Sequence, residues 1–130
     1  MPDAFEISTV LTASAKQVYE AWLSSKEHGA MTGGAARIDP VVGGRFSAWD
    51  GYITGATLEL EPYRRIVQSW RTIEFPADAP DSRLEIVLDE SAAGTQLTLK
   101  HSNVPTGQGS SYESGWVSNY FDPMNDYFSE

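Results

Sequence analysis

The chain contains no cysteine and only two histidines, His28 and His101. Without thiols there are no disulfides, thiolate zinc sites or cysteine nucleophiles. The two histidines stand far apart among scattered carboxylates, so metal-ligand spacing is missing as well. No metal and no cofactor is therefore expected. Positive charge is scarce, with 9 Lys and Arg against 18 Asp and Glu and a net charge of −9. Such a surface repels nucleic-acid phosphates and anionic lipid headgroups, so neither is expected as a partner. No apolar run approaches the roughly 20 residues that cross a bilayer. A Gly-x-Ser-x-Gly nucleophile turn does not occur, and no glycine loop opens a helix as phosphate binding requires. The first residues, Met1-Pro2-Asp3-Ala4-Phe5-Glu6, hold no basic segment followed by an apolar run. No signal peptide is expected from them, and a cytoplasmic location is.

What the chain does have is aromatic rings, at 12% of its 130 residues. A chain of this length buries roughly two-thirds of its unfolded surface, enough for one core. Phe5, Ile7, Thr9 and Leu11 alternate with Glu6, Ser8 and Val10 as a half-buried strand does. Ser14 and Gln17 have capping-box spacing, and the helix they start continues to Leu23. A weaker helix is expected from Ser25 to Met31, with His28 on its exposed side. Strands follow over Arg45–Trp49, Tyr52–Glu61, Ile66–Ile73, the alternating stretch around Leu84, Ile86 and Leu88, and Gln96–Ser102. Asp50-Gly51 is a two-residue hairpin signal that pairs Ala48 with Ile53 and sets Phe46 opposite Gly55.

The last quarter carries most information. Trp116, Tyr120, Met124 and Phe128 recur every fourth residue and line one face of a closing helix. Pro123 inside it should kink the helix or begin a new turn. The order is β-α-α-β-β-β-β-β-α. The central strands leave no room for crossover helices, so the fold class is α+β with an antiparallel sheet of six or seven strands curved around the long C-terminal helix.

Gly43-Gly44-Arg45-Phe46, Asp50-Gly51, Gly55, Pro62, Ile66-Val67 and Trp70-Arg71 stand in a familiar order. Leu97-Thr98-Leu99, Val104-Pro105, Gly115-Trp116 and Asn119-Tyr120-Phe121 continue it. Together they resemble the activator of heat-shock-protein-90 ATPase homologue family, in particular the C-terminal domain of the eukaryotic activator. The resemblance implies a START-like helix-grip fold over residues 1–130 as one domain, with a hydrophobic cavity between sheet and C-terminal helix. It departs from many single-domain relatives after the second helix, where Ala30-Met31-Thr32-Gly33 stands in place of a tryptophan.

Within that fold the candidate cavity-lining residues are Trp22, Met31, Phe46, Ile53, Leu58, Trp70, Leu99, His101, Trp116, Tyr120 and Met124. Ligand pockets are largely apolar with few polar anchors, and rings that fill a core look the same in sequence. One of Arg37, Arg45, Arg64, Arg65 and Arg71 can anchor a carboxylate. His101 shares a strand face with Leu97 and Leu99, as a backbone-satisfied histidine or as a group that orients a ligand or takes a proton. Asp122, Asp126 and Glu130 read as a solvated face, or as an acidic strip for a basic chaperone surface. The expected function is non-catalytic binding of a small hydrophobic molecule. The alternatives are docking on an ATP-driven heat-shock chaperone, and a cyclase- or hydratase-like enzyme using His101. The chain is expected as a monomer or homodimer.

Overall fold

The computed structural model describes residues 2–129; Met1 and the Glu130 of the acidic series lie outside the described residues. Strand β1 (Asp3–Leu11) leads into α1 (Ala15–Leu23) and α2 (Ser25–Thr32). Six strands follow: β2 (Arg37–Ile38), β3 (Arg45–Ala48), β4 (Ile53–Glu61), β5 (Arg65–Thr72), β6 (Ser82–Ser91) and β7 (Gly94–Val104). The C-terminal helix comprises α3 (Gly109–Trp116), a π-helical turn (Val117–Phe121) and α4 (Asp122–Phe128). The strands form one antiparallel sheet in the order β1-β7-β6-β5-β4-β3-β2. This is the expected helix-grip arrangement, with β2 added as a two-residue edge too short to show periodicity.

Local chemistry explains the elements. The Ser14 hydroxyl accepts from the Gln17 amide at 3.1 Å, and the Gln17 side chain accepts from the Ser14 amide at 3.0 Å. Two orphan donors of α1 are thereby satisfied. The β3–β4 hairpin keeps the expected register, Ala48 with Ile53 and Phe46 with Gly55. Its turn is the expected Asp50-Gly51 pair, closed by the Tyr52 amide donating to the Trp49 carbonyl at 3.1 Å. Trp49 and Asp50 take φ of 53° and 58°, and Gly51 continues at 90°. Trp49, just ahead of that turn, is left-handed as well and so departs from the extended strand.

Gly55 is required by close approach. A Cβ there would collide with the Ser69 carbonyl and the Phe46 ring. Beside it the Ser69 hydroxyl accepts from the Ala56 amide at 2.9 Å, in place of a ladder bond. Further along β4 the register slips between Thr57 and Glu59, so a bulge holds the intervening residue.

Pro123 does not break the helix. Its ring would clash with a carbonyl four residues back in a regular α-helix. The π turn ahead of it widens the backbone, with the Asp122 amide donating to Val117, and places Pro123 in the first turn of α4. Beside it the Phe121 carbonyl accepts from the Asn125 side chain at 2.8 Å. Trp116, Tyr120 and Met124 still share the buried face. They pack with Leu84, Ile86, Leu97 and Leu99 of the sheet and with Val18, Trp22 and Met31 of the first helices in one core.

Candidate functional site: an aromatic cleft between hairpin and helix

A cleft of about 290 Å³ opens between the β3–β4 hairpin, the end of β5 and the C-terminal helix. Trp49, Tyr52 and Ile53 form the hairpin side, Trp70 the floor, and Tyr112, Gly115, Trp116, Asn119 and Tyr120 the helix side. The π turn holds two of these residues, Asn119 and Tyr120. Such turns are frequent at functional sites because they re-aim side chains within a helix.

The helix side of the cleft is held from behind by two neutral histidines. On the sheet side, the Trp116 indole N–H donates to His101 Nδ1 at 3.1 Å. The Ser82 hydroxyl donates to the Trp70 carbonyl at 2.7 Å, which leaves its oxygen to accept from His101 Nε2–H at 2.8 Å. The imidazole is therefore the Nε2–H tautomer, with both nitrogens engaged. Burial pulls its pKa from 6.5 down to about 3. On the other side, His28 Nδ1–H donates to the Trp22 carbonyl at 2.9 Å. Its Nε2 then accepts from the Tyr120 hydroxyl, also at 2.9 Å. Burial lowers the His28 pKa, opposed by that backbone bond. Burial raises the Tyr120 pKa, with the Trp49 side chain bonding to the phenol and acting against it.

A third network closes the mouth. The Glu74 amide donates to Thr72 Oγ1 (3.1 Å), whose hydroxyl donates to the Tyr112 oxygen (2.7 Å). The Tyr112 hydroxyl donates to Gln108 Oε1 (2.7 Å), and Gln108 Nε2 returns to the Glu74 carbonyl (3.1 Å). This circuit ties the start of the C-terminal helix to the end of β5. The Tyr52 hydroxyl donates to the Glu74 carboxylate beside it. Burial and that carboxylate push the Tyr52 pKa up to about 12, so the phenol stays neutral.

Of the sequence-predicted residues, Ile53, Trp70, Trp116 and Tyr120 meet in the cleft. Trp22 stands one layer behind, stacked on Trp116 with ring centroids 6.1 Å apart. His101 lies behind the wall as described, while Met31, Leu99 and Met124 are core residues that do not line it. Phe46 lies across Gly55 and borders a separate shallow groove with Arg37 and Arg45. Leu58 is a correction. Thr57 takes the inward position and bonds to Gln68, and the bulge turns Leu58 outward to 47% exposure.

His28 is a second correction, being only 5% exposed where an exposed residue was expected. Helix α2 packs against the C-terminal helix, and the Trp22 carbonyl and Tyr120 hydroxyl satisfy both ring nitrogens. None of the five candidate arginines lines the cleft. Arg65 is tied to Glu59, Glu61 and Glu85, and Arg71 to Asp81. Sequence reasoning missed Trp49, Tyr52, Tyr112, Gly115 and Asn119. Tyr112 was within reach, since the four-residue spacing of Trp116 and Tyr120 extends back to it. Trp49 was not, because its direction depends on a left-handed backbone at a non-glycine residue.

The family model described as activator of Hsp90 ATPase homolog 1-like protein matches residues 12–129. The human activator of 90 kDa heat shock protein ATPase homolog 1 is 24% identical over 120 residues, 92% of this chain and 35% of that protein. The chain thus spans about a third of the length of the curated relatives it matches. Among solved structures, an HSP90 activator from Plasmodium falciparum superposes with a TM-score of 0.89 at 22% identity, covering 97% of this chain and 96% of that one. The Aha1 dimer from Colwellia psychrerythraea superposes with a TM-score of 0.82 at 15% identity, covering 97% and 96%. At these identities the two structures show a shared fold.

Proposed function

The chain belongs to the activator of Hsp90 ATPase homolog 1-like protein family, and we propose that it is a non-catalytic binding domain of that family, holding a small hydrophobic ligand between hairpin and C-terminal helix. The observation that carries this reading is the cleft, whose walls are mostly aromatic. Its volume of about 290 Å³ lies at the lower end of the roughly 300–1,000 Å³ of small-molecule sites. An apolar cavity of about 150 Å³ accepts benzene, so this cleft suits a compact molecule with one or two rings rather than a lipid chain. His101 supports the non-catalytic reading. Both its nitrogens are engaged and its basicity is suppressed, which leaves the cyclase- or hydratase-like alternative without a base there.

The test is titration with para-tert-butylphenol, followed by NMR on the indole N–H signals of Trp49, Trp70 and Trp116. Saturable shifts of these signals are expected. No shift up to the solubility limit, either with this probe or with charged probes of the same shape, overturns the reading.

The human relative's name favours a second reading, docking on an ATP-driven heat-shock chaperone in the stress response. The exposed Asp122 and Asp126 then face a basic surface on the partner, and binding weakens with added salt. A pull-down titration against the chaperone at low and high salt tests it, and no complex at high micromolar concentration removes it. The Colwellia Aha1 dimer supports a homodimer as the alternative to a monomer, which sedimentation distinguishes. A cytoplasmic location accords with both readings. Among the described residues no helix is long and apolar enough to cross a membrane.

A further inference from the structure

Rings form most of the cleft wall. Trp49, Trp70, Trp116, Tyr52, Tyr112 and Tyr120 converge on it, and no Lys or Arg is among its lining residues. They do not lie in a parallel stack. Trp70 and Trp116 are inclined by 39°, Tyr112 stands at 80° to Trp70, and Trp49 at 74° to Tyr120. Rings set at such angles wall a volume on several sides. The face of an aromatic ring carries negative potential, so a box of this kind attracts an organic cation.

Charge around the cleft points the same way. The Glu74 carboxylate is held at the mouth by the Tyr52 hydroxyl. Arg71, next to Trp70 in β5, is tied to Asp81 and to the Pro76 and Ala79 carbonyls and does not line the cleft. The whole chain carries a net charge of −9, which raises the local concentration of cations. An anionic guest meets no counter-charge here. A neutral guest gains from burial alone, and a cationic one gains from burial and from the ring faces.

We propose that the cleft binds a compact organic ammonium ion, with its alkylated nitrogen held between the indole and phenol rings and its apolar body against Ile53. This rests on the ligand-binding reading above and names the chemical class of the ligand.

Three probes of nearly one shape test it on the intact protein by calorimetry. They are para-hydroxyphenyltrimethylammonium, the neutral para-tert-butylphenol, in which carbon replaces the charged nitrogen, and the anion para-hydroxybenzoate. The cation is expected to bind with a Kd about tenfold or more below that of the neutral probe, and the benzoate is expected not to bind. Gly115→Leu, which fills the cleft from the helix side, is expected to abolish cation binding. Neutral binding equal to or tighter than cation binding overturns the ammonium inference and leaves the ligand-binding reading standing. So does tighter binding of the benzoate. Cation binding that survives Gly115→Leu places the cation elsewhere on the acidic surface and overturns the inference too. No binding of any of the three overturns both.

Discussion

Gly115 separates folding from binding in a way few cleft residues can. It sits inside α3 with an ordinary helical backbone, since its φ does not fall in the left-handed range. A Cβ added there has Asn119 Nδ2 as its nearest neighbour at 3.7 Å, an ordinary van der Waals contact. Gly115→Ala therefore meets no steric penalty. It gains the helix preference of alanine over glycine, about 0.5–1 kcal/mol. For a chain of this length that raises Tm by about 2–5 °C. Because Gly115 lines the cleft, a larger side chain also takes ligand space. Gly115→Leu is expected to abolish detectable probe binding, where even a tenfold loss equals about 1.4 kcal/mol, while Tm does not fall. Urea denaturation and calorimetric titration of the two variants give both numbers. A loss of stability in Gly115→Ala would show that the position is closed by packing. Unchanged probe affinity in Gly115→Leu would show that the cleft is not the binding site.

His101→Leu leaves the buried Trp116 N–H without an acceptor and is expected to cost about 2–4 kcal/mol in urea denaturation; a loss under about 1 kcal/mol refutes the relay. Both histidines are neutral in the folded protein with lowered pKa values, and return to ordinary basicity on unfolding. Their contribution is fully present above pH 6.5, and for His101 it is lost progressively as pH falls toward about 3. Between about pH 7 and pH 5 His101 alone lowers stability by about 2 kcal/mol and His28 acts in the same direction, and a flat profile there contradicts the assignment. Gly55→Ala drives a methyl group into the Ser69 carbonyl and is expected to cost about 3 kcal/mol or more, or to prevent folding, as read by circular dichroism. Tyr120→Phe removes the hydroxyl that bridges toward His28 and is expected to cost about 1–3 kcal/mol by the same measure; an unperturbed Trp49 signal in its NMR spectrum would sever that ring from the network.

Periodicity carried the fold because burial on a strand or helix repeats along the chain. The alternation of Phe5, Ile7 and Leu11, the capping box at Ser14 and the four-residue stripe from Trp116 to Met124 all survive in three dimensions. Pro123 shows why the stripe was robust. The π turn absorbs the missing donor and still returns Met124 to the core. The cleft was only half legible, because its other half depends on exceptions to periodicity. Trp49 reaches it through a left-handed turn, and Leu58 leaves the inner face through a bulge. His28 belongs to a helix with almost no amphipathic pattern, and its burial comes from the Tyr120 hydroxyl across the fold. Nothing local to Ser24–Thr32 encodes that partner.

The histidines connect the two halves of the molecule's chemistry. A tryptophan or tyrosine buries a large apolar body only if its polar tip finds a partner. In this core the tips of Trp116 and Tyr120 both end on imidazole nitrogens. The imidazoles pass the demand on to Ser82 and to the Trp22 carbonyl, where it is met. No buried side-chain polar atom is left without a partner among the described residues. Two rings of the helix wall are thus fixed before any ligand arrives, and a guest need not order them on binding. It follows that substitution of His28 or His101 should loosen ligand binding as well as the fold, although neither residue lines the cleft. Equal probe affinity in a folded His28→Gln variant would show that the walls hold their positions by packing alone.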